Sequence, residues 1–187
     1  MGTNYLRVKI VCAIVGVMTG EDHVDRLRAQ WARELPDLDT TPMGIFGRAH
    51  RLSAFIAAEV TGIFEEFGLD RGEFDVLATL RRSGSPYRLT PTEIYRSLMI
   101  SSGGLTHRLG RLEAAGLITR DPSDQDGRSL AVRLTDKGRQ RVEAAFRADM
   151  GEVIKRLAPL TNAEKKTLAD LLRKLLSPLE QEATKAE

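Results

Sequence analysis

Helix, tight turn, helix and β-hairpin follow one another between Leu89 and Thr135. That order predicts a mainly α fold with a small β-hairpin wing: a winged helix-turn-helix domain attached to a helical dimerisation region. Three observations carry the expectation. The run LTPTEIYRSL opens on Thr90, Pro91 and Glu93, which supply an N-cap, a proline at the first helical position and the glutamate of a capping box. After Ser101, Ser102, Gly103 and Gly104 break that helix, Leu105, Leu109, Leu112 and Leu117 recur at near-helical spacing, while Thr106, His107, Arg108 and Arg111 stay polar and Gly116 provides the stop. Two short alternating stretches then read as strands, Leu117 to Arg120 and Ser129 to Leu134, around a loop rich in Asp, Ser, Pro and Gly from Asp121 to Arg128.

The other elements can be justified in chain order. Residues 1–20 read as an extension outside the fold. The apolar run Ile10 to Met18 follows Arg7 and Lys9, yet it is too short to span a bilayer and no small-x-small cleavage site follows it. Either translation is expected to start near Met18 or the segment is expected to be disordered. Asp22 caps a helix running to about Glu34, with Val24, Leu27, Trp31 and Leu35 on one face. Residues 36–42 break the chain. A long amphipathic helix is expected from Met43 to Phe67, with Ile45, Leu52, Phe55, Ile56, Val60, Ile63, Phe64 and Phe67 on its apolar face, ended by Gly68. Asp70 caps the next helix, Arg71 to about Arg82, with Phe74, Leu77 and Leu80 inward, and residues 83–86 turn. Past the hairpin, Thr135 caps a helix to about Ala158 whose apolar positions are Val142, Ala145, Phe146, Val153, Ile154 and Leu157. Thr161 and Glu164 form another capping box, and the last helix carries Leu168, Leu171, Leu172, Leu175, Leu176 and Leu179.

This reading divides the chain into residues 1–20 as extension, 21–67 as N-terminal helices for dimerisation, 68–135 as the winged helix-turn-helix, and 136–187 as C-terminal dimerisation helices. The terminal leucine stripe exceeds what a small winged domain can cover. A homodimer is therefore expected, and its two-fold axis suits a palindromic site with two half-sites.

Charge points to the partner. Residues 81–141 hold twelve Arg and Lys against six Asp and Glu, a local balance of +6, whereas the whole chain is only +2. Phosphate neutralisation by such a patch supplies much of the affinity for duplex DNA. The candidate DNA contacts are Thr90, Thr92, Ser101, Ser102, Thr106, His107 and Arg111, with Arg128 in the flanking minor groove. Other classes fit poorly. The single cysteine, Cys12, excludes an intrachain disulfide and suits a reducing, cytoplasmic setting. His23, His50 and His107 lie far apart without ligand spacing, so no metal site is expected. No G-x-S-x-G elbow or phosphate loop is present, so neither catalytic residues nor a cofactor are expected. A non-switching architectural DNA-binding protein is the alternative outside the regulator class.

The helix order, the run ISSGGLTHRLGRLEAAGLI and the wing DGRSLAVRLTDKGR resemble the MarR family of bacterial winged-helix regulators from about Glu21 to Leu179. The family's wing signature is matched by Asp126, Arg128, Leu134, Thr135 and Gly138. Gly127 stands where the family often has a second basic residue, which leaves Arg128 as the implied groove reader. The extra N-terminal helix with Trp31, the run PDLD and the run EFDVLATLRRSG are similar to the urate-responsive PecS/HucR subgroup. That resemblance implies an effector cleft at the N-terminal helices, residues 21–67, a ligand set of Trp31, Asp75, Arg108 and Arg120, and a repressor released from its operator by a small anionic effector, urate or a related purine. Trp31 would offer a flat π surface and Arg108 a fork of donors. An Asp75–Arg120 pair would transmit displacement of Asp75 to the strand after the recognition helix. A phenolic or carboxylic acid is the alternative effector.

Overall fold

The computed structural model describes residues 20–98, 104–122 and 130–186. The expected roles of Ser101, Ser102 and Arg128, and the extension before Gly20, fall outside the described residues. The elements are α1 (His23–Glu34), α2 (Thr41–Glu66), α3 (Arg71–Arg82), β1 (Arg88–Leu89), α4 (Pro91–Ser97), α5 (Leu105–Ala114), β2 (Ile118–Pro122), β3 (Leu130–Leu134), α6 (Asp136–Arg156) and α7 (Asn162–Ala186). Two compact units result, Met1–Phe55 and Ile56–Glu187, so the division falls inside α2.

In the N-terminal unit, α1 opens on a reciprocal capping box. Asp22 Oδ1 accepts the Asp25 N–H at 2.9 Å, and Asp25 Oδ2 accepts the Asp22 N–H at 3.1 Å. The outer oxygens of the same two carboxylates are taken by Arg48 of α2, 2.7 Å from Asp22 Oδ2 and 2.6 Å from Asp25 Oδ1. The bonded Arg48 guanidinium and the Asp25 N–H hold the Asp22 carboxyl down at about 2. Val24 is buried, with Gly47 leaving room beside it. Helix α2 starts two residues earlier than the break at Pro42 suggests, because Asp39 Oδ1 accepts the Thr41 N–H at 2.8 Å.

The second unit has one apolar core built from Val60, Phe64, Leu69, Phe74, Val76, Leu77, Leu80, Ile94, Leu109, Leu112, Leu117, Ile118, Val132, Leu134, Val142 and Ala145. Phe64 stacks on Phe74 with ring centroids 3.8 Å apart. Helix α6 runs antiparallel to α3: Arg81 Nε meets Glu143 Oε1 at 2.6 Å near one end, and Phe74 faces Phe146 further along. Arg156, on the last turn of α6, reaches Glu59 of α2 at 2.6 Å.

The sheet has a third strand that periodicity does not predict. Its order is β1–β3–β2, with both pairings antiparallel. Two residues are too few to display an alternating pattern; β1 exists because Arg88 and Leu89 lie opposite Arg133 and Val132. Tyr87, in the left-handed region at φ 58°, accepts the Leu134 N–H just before the strand. Leu117, expected on the stripe of the second helix, comes after that helix has ended and is buried ahead of β2.

The junction from β3 to α6 is a knot of main-chain contacts. Thr135 N–H donates to the Leu117 carbonyl, the Thr135 hydroxyl donates to the Gly116 carbonyl at 2.9 Å, and Gly138 N–H donates back to Thr135 Oγ1 at 3.0 Å. Gly138 is buried against the Leu117 carbonyl, and a Cβ there would lie 2.0 Å from that oxygen.

Asp149 on α6 is 7% exposed, and its Oδ1 has no hydrogen-bond partner among the described residues. Burial pushes its carboxyl upward, and the charge of Arg71 only partly offsets this. A folded-state value above the unfolded one means that the ionised group weakens the fold as pH rises from about 4 through that value. Asp149→Asn is expected to raise Tm at pH 7, with the gain vanishing near pH 3, where the carboxyl is protonated in both states. Thermal melts at the two pH values test this, and an unchanged Tm at pH 7 would contradict it.

Candidate nucleic-acid interface

Helix α4 begins as expected: Thr90 Oγ1 accepts the Glu93 N–H, and Glu93 Oε2 accepts the Thr90 N–H at 2.7 Å. The Thr90 hydroxyl is committed to this cap, while Thr92 is exposed in the first turn. Helix α5 buries Leu109 and Leu112 and turns Thr106, His107 and Gly110 to solvent. Its N-cap is Gly104, at φ 83°, which has no side chain to cap the first N–H groups. Thr92, Tyr95, Gly104 and Thr106 line one shallow cleft at that end of α5. Uncapped N–H groups and the positive end of a helix dipole favour an anionic oxygen such as a DNA phosphate. Asp121 on β2 accepts from Arg133 Nε at 2.7 Å, stiffening the base of the wing.

Arg111, expected at a base edge, is engaged elsewhere. Its Nε donates to Glu73 Oε1 at 2.8 Å and its Nη2 to Asp70 Oδ2 at 2.7 Å. These carboxylates form the capping box of α3, and Glu73 is only 7% exposed. Arg108, one turn earlier, lies over the same first turn: a Cβ on Gly72 would come 2.1 Å from Arg108 Nε.

The ligand set implied by the resemblance is distributed as follows. Trp31 belongs to the N-terminal unit and is 46% exposed, with Leu35, Leu38 and Met43 lining a cleft beside it. Asp75, Arg108 and Arg120 belong to the other unit. The expected Asp75–Arg120 pair does not form. Asp75 Oδ2 is 3.3 Å from Arg71 Nε, its i−4 neighbour on α3, and Arg120 Nε is 3.0 Å from Glu113 Oε2 without the alignment of a hydrogen bond. Helical spacing gives Asp75 a nearer cation than the strand does. Burial pushes the Asp75 carboxyl up, while the charges of Arg71, Arg108 and Arg82 pull it down.

Sequence reasoning missed a cavity of roughly 590 Å³ between α3 and α6. Ala78, Val142, Phe146 and Met150 form its apolar wall, with Arg81, Arg82, Arg147 and Glu143 at the rim. Ala78 and Arg82 continue the stripe of α3 that carries Arg71 and Asp75. Only the antiparallel packing of two helices distant in sequence creates this space. Among the described residues no helix is long and apolar enough to cross a membrane.

A winged helix-turn-helix whose second helix exposes a polar face defines a DNA-binding regulator rather than an enzyme. The chain belongs to the MarR family: the family's sequence profile matches residues 67–129, and the HTH-type transcriptional regulator PecS of Dickeya dadantii (strain 3937) is 40% identical over 143 residues, spanning 76% of this chain and 86% of that protein. An HTH-type transcriptional repressor of Mycobacterium tuberculosis is 32% identical over 140 residues, covering 73% of this chain and 95% of the relative. A cysteine-to-serine mutant of MarR from E. coli superimposes with a TM-score of 0.58 at 26% identity, over 71% of this chain and 96% of that one. The same mutant in complex with operator DNA shares the fold, with a TM-score of 0.61 at 24% identity over 78% and 97% of the two chains.

Proposed function

We propose that the protein is a cytoplasmic, homodimeric repressor that binds a palindromic operator and is released by a small anionic effector, urate or a related purine. Its recognition helix is α5, which presents Thr106 and His107 to base edges while its uncapped N-terminus meets a phosphate. Thr92, Ser101 and Ser102 complete the major-groove surface, and Arg128 enters the minor groove. No cofactor is used. The observation that carries the effector reading is the position of Arg108. It belongs to the recognition helix, its charge acts on Asp75, and it lies over Gly72 at the start of α3. An anion drawn to Arg108 repels Asp75 and disturbs the seat of α5 directly. No route through Arg120 is needed. Differential affinity for the two positions of α5 is what converts binding into release, and DNA reciprocally weakens the effector.

The alternative effector, a phenolic or carboxylic acid, draws support from the α3–α6 cavity, where an apolar wall faces arginines at the rim. Both readings are tested by titrating the protein–DNA complex with urate and with salicylate. Urate is expected to release the duplex from wild type. Trp31→Ala should need roughly ten- to a hundredfold more urate, the worth of an aromatic stacking surface, while its DNA affinity without ligand stays unchanged. Asp75→Asn should bind urate at least as well but release DNA less. If wild type keeps its DNA at millimolar urate, or if all three proteins respond alike, the urate mechanism is wrong and only the winged-helix regulator reading survives. Release by salicylate alone selects the acid reading.

A further inference from the structure

The capping box of α3 spends its oxygens in two directions. Asp70 Oδ1 accepts the Glu73 N–H at 2.8 Å and Glu73 Oε2 accepts the Asp70 N–H at 2.9 Å, which closes the helix end. The other two oxygens, Asp70 Oδ2 and Glu73 Oε1, both receive Arg111 of α5, each at 2.7 Å from Nη2. The fork of a guanidinium suits two carboxylates held in fixed relation, and burial of Glu73 strengthens the attraction. Arg108 comes down beside it on Gly72, where any side chain would collide with the guanidinium stem. The recognition helix is thus held at two points, three residues apart, on one turn of α3.

Among the described residues the same device occurs once more. Arg48 of α2 takes the two outer oxygens of the Asp22–Asp25 box at the start of α1. In both cases an arginine reads the leftover acceptors of a capping box and so orients one helix on another.

We infer that Arg111 is a positioning residue, not a base reader: through Asp70 and Glu73 it sets the tilt of α5, and so the alignment of Thr106 and His107 with the major groove. The inference rests on the reading of α5 as the recognition helix. It predicts a signature that direct readout does not share. A reader contributes to one base pair, whereas a residue that orients the whole helix affects every pair that the helix reads.

The test uses the duplex that the full-length wild-type protein selects from a random pool, together with single-base variants of it. Arg111→Ala is compared with Arg111→Lys and Glu73→Gln. Glutamine can still complete a capping box, but with one carboxylate oxygen replaced by an NH2 it no longer offers the Asp70 N–H and Arg111 the two separate acceptors that Glu73 does. Arg111→Ala and Glu73→Gln are expected to weaken binding of the selected duplex roughly tenfold or more, and to flatten base preference across the half-site evenly. Their double variant should lose no more than Arg111→Ala alone, because both remove one joint. Arg111→Lys should recover part of the preference. Melts without DNA confirm that each variant is folded at the assay temperature. Loss confined to one base pair would assign Arg111 to direct reading and overturn the inference. So would full affinity in Glu73→Gln, additive losses in the double variant, or a lowered Tm with base preference intact. If wild type selects no duplex at all, the reading of α5 fails and the inference falls with it.

Discussion

Gly138→Ala is expected to destabilise the protein by about 3 kcal/mol, lowering Tm by roughly 6–12 °C for a chain of this size. Two effects oppose each other here. Gly138 stands in the first turn of α6, where alanine is the better helix former by about 1 kcal/mol. Against that, the new Cβ would lie 2.0 Å from the Leu117 carbonyl oxygen and 2.9 Å from Leu134 Cδ1. A backbone oxygen cannot swing away as a flexible side chain can. Relief requires α6 to lift from the end of β3, which breaks the bonds from Gly138 to Thr135 and from Thr135 to Leu117. The clash therefore wins. Gly110→Ala is the control, since nothing lies within 4 Å of a Cβ at that exposed helical position, and it should raise Tm slightly when measured without DNA. A Tm for Gly138→Ala at or above that of wild type would show that the junction has slack.

The second large effect concerns assembly. On α7, Leu168, Leu171, Leu172, Leu175, Leu176 and Leu179 are each 40–59% exposed within the single chain and recur at helical spacing. Scattered exposed leucines need no explanation, but a continuous stripe marks an interface. The double substitution Leu172→Glu, Leu176→Glu places two charges on that stripe. Each buried leucine side chain contributes about 1.5–3 kcal/mol, and each buried carboxylate would cost more. Light scattering at micromolar concentration should find wild type dimeric and the variant monomeric. Binding to a two-half-site duplex should fall by several orders of magnitude, because the half-sites then bind independently. A folded variant that stays dimeric would place the interface elsewhere.

How much of this was legible beforehand depended on the range of the interaction. The N-caps at Asp22, Asp70 and Thr90 are spelled out by single residues before each helix, and the structure forms each one, at Asp22 and Asp70 with a reciprocal bond from the third helical residue that the reading of an N-cap alone did not include. The stop at Gly116, with φ 68°, is equally local. Strand β1 was not legible, because its two residues owe their state to β3, more than forty positions away. The site shows the same division. The polar face of α5 follows from leucine spacing. The expected partner of Asp75 was not legible, since Arg71 at the i−4 position pairs with Asp75 while Arg120 pairs with Glu113.

By itself the sequence determined most of the capped helix starts, the order of helix, turn, helix and hairpin, and the basic balance of the winged region, since local hydrogen bonds, apolar periodicity and charge count need no knowledge of the fold. Tertiary structure alone decided which acceptors the arginines reach. Arg111 and Arg108 look alike in a string of polar letters, but the first turn of α3, some forty residues earlier, presents two spare carboxylate oxygens to one and the bare Cα of Gly72 to the other. A guanidinium goes to the carboxylates that packing brings within its reach, and that reach depends on the relative position of two helices, which no spacing within either helix records.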